Sequence, residues 1–166
     1  RTGCMETLLS GSSAKKVLID HHLDPSRDIY DLSFSETQVS STAEYLYHIV
    51  LATDEFHGDA GKLPADSATA LMTGMTTDTN NFANSVFPST LKMASGLLEA
   101  GTDRDMIISC LYQSYREERI RLLGELLFKN MKIMEEGVAY IVLDKETMDR
   151  YNLQEGETEG FVNIPL

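Results

Sequence analysis

Apolar positions along this chain follow two rhythms, short uninterrupted runs and three- or four-residue steps, and the two alternate. From Thr2 to Ser10, Met5, Leu8 and Leu9 give a short helical pattern that Gly11-Ser12-Ser13 breaks. Lys15 to Asp20 is a compact apolar run, partly β-branched, and predicts a buried strand that ends abruptly in Asp20-His21-His22. Leu23-Asp24-Pro25 turns the exit into a loop, and Tyr30, Leu32 and Phe34 alternate with polar residues as in a second strand. Ser41 with Glu44 three residues on predicts a capped helix start, continued through Leu46, Ile49 and Val50.

A polar, glycine-containing loop is expected from Asp54 to Lys62, and Pro64 then opens a helix whose apolar stripe is Ala68, Leu71 and Met72. That helix is expected to give way to Gly74-Met75-Thr76-Thr77-Asp78-Thr79-Asn80-Asn81-Phe82, a polar segment rich in hydroxyls and amides. Further helices are predicted over Ser89 to Ala100, ended by Gly101, and over Thr102 to Tyr112. Tyr115 to Glu136 reads as one long amphipathic helix with Ile120, Leu123, Leu127, Met131 and Met134 on its stripe. Val138 to Leu143 predicts a strand, Lys145 to Tyr151 a short helix, Gln154 to Gly160 an acidic turn, and Phe161 to Leu166 a last strand. The order predicts an α/β fold, a mostly parallel sheet with helices on both sides.

Composition narrows this picture only slightly. The 166 residues are 42% hydrophobic, enough for a real core, and the eight methionines fall mostly on apolar stripes and read as core. Cys4 and Cys110 lack paired spacing, which disfavours a disulfide framework or a zinc knuckle and points to two reduced, buried or half-buried thiols in a cytoplasmic protein. No apolar run reaches membrane-spanning length. A net charge of -12 argues against tight, sequence-independent binding of long nucleic acid. It leaves room for a small phosphorylated substrate held through metal ions, which bring their own positive charge.

Two segments carry candidate chemistry. A strand ending in Asp20-His21-His22 sets imidazoles at the carboxyl edge of an α/β sheet, where such folds build their sites. Two adjacent histidines leaving a strand point in different directions, so one can bind metal while the other faces substrate. In Thr76-Thr77-Asp78-Thr79, Asp78 is the single carboxylate among hydroxyls and amides that could hold it in one orientation. Taken singly, each segment also reads as ordinary structure: a satisfied histidine pair, or an Asp-Thr cap or turn. His48 and His57 read as structural or exposed, and Arg116, Arg119 and Arg121, interleaved with Glu117 and Glu118, as a solvated helical face rather than a phosphate clamp.

Together, Val17-Leu18-Ile19-Asp20-His21-His22, Ser40-Ser41-Thr42-Ala43-Glu44 and Gly74-Met75-Thr76-Thr77-Asp78-Thr79 with Phe82 occur in the order seen in DHH phosphoesterases. The chain resembles that family over nearly its whole length, above all the branch of oligoribonucleases that also dephosphorylate adenosine 3',5'-bisphosphate. The resemblance implies that His21 and Asp78 ligate one of two manganese ions, with Mg2+ or Co2+ as alternatives. It implies that His22 contacts the scissile phosphate and that Asp20 is a supporting carboxylate. It further implies a cytoplasmic enzyme acting on short oligonucleotides or small nucleotides, able to form a homodimer. Hydrolysis of cyclic dinucleotides, single-stranded DNA or polyphosphate are the alternatives within the same chemistry. The family's first Asp-rich metal motif, its lone bridging Asp and its C-terminal glycine-rich segment do not occur here, and Asn80 stands where many relatives have Gly. The expectation is therefore an internal piece of a longer protein: the later part of a DHH domain over residues 1–113, a connecting helix over 114–136, and the start of a second α/β domain over 137–166. Such a piece is expected to be inactive alone, or to serve only as a scaffold.

Overall fold

The computed structural model describes residues 5–25 and 28–164. The chain divides into two compact units, one ending at Ile108 and the other beginning at Ser109.

In the first unit, α1 (Glu6–Gly11) precedes β1 (Val17–Asp20), which pairs in parallel with β2 (Leu32–Ser35) in the register Val17 to Leu32 and Asp20 to Ser35. Parallel pairing places the carboxyl ends of both strands at one edge. Three helices build the core behind it: α2 (Thr42–Leu51), which packs on β1, then α3 (Ala65–Asp78) and α4 (Pro88–Glu99), followed by α5 (Arg104–Ile108). Ala68, Leu71, Met72 and Met75 of α3 and Met93, Ala94 and Leu97 of α4 are buried at helical spacing. The Ser41 side chain caps α2 by accepting from the Glu44 amide at 3.0 Å.

α3 is longer than its sequence suggests. Thr76, Thr77 and Asp78 form its last turn instead of a polar connector. The hydroxyls of Thr73, Thr77 and Thr79 donate back to the carbonyls of Thr69, Thr73 and Met75, so polar side chains are satisfied without leaving the helix. Asn80, Asn81 and Phe82 then take left-handed backbone angles (φ 45°, 56° and 66°), and Arg104 donates to the Asn81 side-chain oxygen at 2.6 Å. Asn80 thus holds a conformation that suits Gly and that Asn tolerates.

Gly74 sets how closely α2 and α3 approach. A Cβ there would lie 2.9 Å from the Cβ of Ala43. Gly74→Val is expected to destabilise the first unit by about 1–3 kcal/mol through overpacking. Urea unfolding checks this, and an unchanged midpoint would mean the two helices are not in contact there.

In the second unit, α6 (Glu117–Glu125) runs into a π-helical turn, Leu126–Asn130, and the chain then extends as β3 (Met131–Ile133), antiparallel to β4 (Ala139–Ile141). The expected helix to Glu136 therefore stops at Asn130. The buried positions are Leu122 and Leu126, four residues apart on one helical face, with Ile120 exposed. After α7 (Lys145–Arg150), the expected last strand is a 3-10 turn, Phe161–Asn163, whose Phe161 ring completes the core with Leu122 and Leu126. Residues 165 and 166 lie outside the described residues.

Several side chains differ from expectation. Cys110 is exposed, and Cys4 lies outside the described residues. Of the methionines, Met72, Met75 and Met93 are buried, but Met5, Met106, Met134 and Met148 are exposed, Met5 just before α1, Met134 just after β3, and the other two on the short helices α5 and α7. The arginines do more than face solvent. Arg116 donates to Glu157 and to the Asn152 carbonyl, and Arg119 donates to the carbonyls of Glu157 and Glu159 while lying over the Tyr115 and Phe161 rings. They fasten the acidic turn to α6, whereas Arg121 pairs with Glu117 along the helix. Among the described residues, no helix is long and apolar enough to cross a membrane.

Candidate functional site

The carboxyl edge of β1 is organised by one side chain. Asp20 ends the strand, and its Oδ1 accepts from the backbone amides of His21 at 2.9 Å and His22 at 3.3 Å. The same oxygen meets His22 Nδ1 at 2.7 Å. Burial alone would raise the Asp20 pKa, but the His22 ring and the two amides more than offset it and hold the carboxyl below its ordinary value. An ionised Asp20 accepts, so Nδ1 of His22 carries the proton and Nε2 is left as the ring's available nitrogen. Asp20 thus fixes the turn and orients His22 rather than His21, whose ring lies 4.4 Å from that of His22, centroid to centroid.

His21 points elsewhere. Its Nε2 lies 3.6 Å from Asp78 Oδ2, at the C-terminal end of α3. That separation is too long for a hydrogen bond. It does match two donors sharing one cation: ligands about 2.1 Å from a common ion stand roughly 3.0–3.6 Å apart as the angle between them opens from about 90° to 120°. An imidazole nitrogen with a carboxylate oxygen is also a donor set that suits first-row divalent metals. No third His, Cys, Asp or Glu among the described residues joins them in a metal-binding group. The hydroxyls of Thr77 and Thr79, expected to steady Asp78, are spent instead on helix carbonyls.

Both histidines and Asp78 line a cavity of about 560 Å³, together with Gln38, Ser40 and Phe87. Among the described residues lining it there is no Lys or Arg. The walls that sequence reasoning missed are the β2–α2 connection and the approach to α4. Ser40 belongs to the Ser40–Glu44 segment read as a helix start, Gln38 and Phe87 carry no motif, and only folding brings them to the edge of β1. His48 stands 3.5 Å from Glu44, and exposed His57 lies in a loop; neither lines the cavity.

The fold and the site define an α/β domain with a histidine–carboxylate pair at the sheet's carboxyl edge. No protein-family model matches the chain. Over 156 residues it is 30% identical to the bifunctional oligoribonuclease and PAP phosphatase NrnA of Bacillus subtilis, covering 91% of this chain and 47% of that protein. A probable enzyme of the same name from Streptococcus mutans is 30% identical over 154 residues, 90% of this chain and 46% of the relative. Among solved structures, an exopolyphosphatase-related protein from Bacteroides fragilis superposes with a TM-score of 0.86 at 34% identity, over 99% of this chain and 47% of that one. The chain belongs to the DHH phosphoesterase family. It spans about half the length of the curated relatives it matches.

Proposed function

We propose that the full-length protein carrying this chain is a manganese-dependent phosphoesterase that hydrolyses short oligoribonucleotides and adenosine 3',5'-bisphosphate. The observation that carries this reading is the convergence of His21 Nε2 and Asp78 Oδ2, 3.6 Å apart, beside a second histidine locked by Asp20. The names of the relatives support the substrate class.

In this reading His21 and Asp78 hold a metal ion. When bound, metal ions supply an activated water and neutralise charge on the phosphoryl oxygens. That supply is needed here, because the described cavity lining offers no Lys or Arg. His22, with Nδ1 fixed by Asp20, presents Nε2 to a phosphoryl oxygen and donates to it when the ring is protonated. Gln38 and Ser40 add neutral polar groups on the wall, and Phe87 adds an apolar surface.

The likeness to an exopolyphosphatase-related protein favours a second reading, in which polyphosphate is the substrate. Phosphate release by the full-length protein with manganese separates the two. Turnover of adenosine 3',5'-bisphosphate and of two- to five-residue RNA, with inert polyphosphate, supports the first. Preference for polyphosphate replaces it with the second, and inactivity on all of them removes both.

A further inference from the structure

We infer that Glu44 is a positioning residue that joins two walls of the cavity, the Val39–Ser40 segment and the turn leading into α4 at Phe87, and keeps them in register with His21 and Asp78. Its role in turnover rests on the reading given under Proposed function.

Glu44 sits in the first turn of α2 and is fully buried. A glutamate three residues after a helix-capping serine ordinarily reaches back to the amide of that cap. This one does not. Its Oε2 accepts from the Ser40 amide at 2.9 Å and the Ser40 hydroxyl at 2.6 Å, one residue before the cap. The same oxygen accepts from the Thr90 hydroxyl at 2.7 Å, far along the chain in α4. Thr90 in turn accepts from the Phe87 amide at 3.0 Å. One carboxylate oxygen therefore ties Ser40 to Phe87 through Thr90, and both tied residues line the cavity.

The direction of these bonds is fixed. The Thr90 oxygen already accepts from Phe87, so its proton points at Glu44, and the Ser40 amide can only donate. Three donors on one oxygen require an acceptor there, which an ionised carboxylate supplies best. Burial opposes that charge, but the bonds from Ser40 and Thr90 outweigh it and hold Glu44 below its ordinary value. The other oxygen has no hydrogen-bond partner among the described residues and faces His48 Nε2 at 3.5 Å.

Stability alone is a poor account of this arrangement. A buried carboxylate with one oxygen left unbonded is unfavourable, and apolar residues of similar volume often serve a core as well or better. What the carboxylate adds is a fixed geometry between two loops that no secondary-structure bond connects. Of the four segments that meet at the cavity, β1 and α3 bring the histidines and Asp78, and Glu44 holds the other two.

The test uses the full-length protein with manganese, in three variants chosen to keep shape. Glu44→Gln removes the charge, Thr90→Val removes one donor, and Thr90→Ser restores it. Hydrogen exchange at the Ser40 and Phe87 amides is read beside kinetics on adenosine 3',5'-bisphosphate. Glu44→Gln is expected to speed exchange at both amides, and Thr90→Val chiefly at Phe87. Both are expected to lower kcat about tenfold to a hundredfold while KM and the manganese midpoint move less than about threefold, with Thr90→Ser recovering the rate. Unchanged exchange at Ser40 and Phe87 in folded Glu44→Gln, or an unchanged kcat in both disruptive variants, overturns the inference. Should Glu44→Gln fail to fold, Thr90→Val decides alone. Should the unaltered protein hydrolyse nothing, the proposed function fails, and exchange still shows whether Glu44 joins the two walls.

Discussion

Asp78→Ala is expected to lower manganese-dependent phosphoester hydrolysis by the full-length protein on the order of a thousandfold, and His21→Ala to do the same. The reason is geometric. The two side chains meet from different elements, one from the end of β1 and one from the end of α3, at a 3.6 Å separation that the proposed cation would bridge. Removing either leaves the other a single ligand, so the double variant is expected to be little worse than each alone. Both losses come with weaker manganese binding, which electron paramagnetic resonance titration reads directly. His22→Ala separates the roles: hydrolysis falls while the first manganese affinity is kept, because His22 is bonded to Asp20 and not to Asp78. Additive losses at His21 and Asp78, or full activity without either, would remove the shared-cation reading.

The sequence makes this edge legible because local signals there agree. A short apolar run bounded by turns and partly β-branched reads as a strand, Asp20 ends it, and an Asp followed by two amides makes its own turn. The burial expected of that strand is not found, since Val17 is exposed and Leu18 and Ile19 are half-buried beside β2. Ser41 is likewise legible as a cap, since its bond to Glu44 spans three residues. Misjudged positions are those decided by distant partners. Thr76 to Asp78 look like a connector, yet the side-chain hydroxyls of Thr77 and Thr79 turn inward onto helix carbonyls and the burial of Met75 carries the helix on. Glu44 has the spacing of a local cap, but it bonds Ser40 instead of the Ser41 amide, and its bond to Thr90 depends on α4 arriving beside α2. The Tyr115 to Glu136 stripe is periodic enough for one helix, but the buried face runs through Leu122 and Leu126, the helix closes in a π-helical turn at Asn130, and Met131 starts a strand. Phe161 and Val162 carry strand-forming side chains, and tertiary burial of one ring overrides that preference.

Phe161→Ala is expected to destabilise the second unit by about 3–5 kcal/mol, enough to unfold a unit with so small a core. Only Leu122, Leu126 and Phe161 form its buried cluster among the described residues, with Leu123, Ile141, Leu143, Tyr151 and Leu153 packed partly around it. Removing the ring leaves a cavity beneath both leucines. It also takes away one of the two aromatic faces against which Arg119 lies, its guanidinium carbon 4.9 Å from the Phe161 ring centre. Arg119 holds the carbonyls of Glu157 and Glu159, so the acidic turn should loosen with the core. Phe161→Leu keeps most of the volume and should lose much less. Hydrogen exchange reads the outcome residue by residue. Protection at Leu122 and Leu126 should collapse in Phe161→Ala while protection at Met72 and Met75, buried in the first unit, persists. A loss below about 1 kcal/mol would show that Phe161 is not part of a packed core. Equal loss at Met72 and Met75 would show that the chain unfolds as a single cooperative body, not as two units.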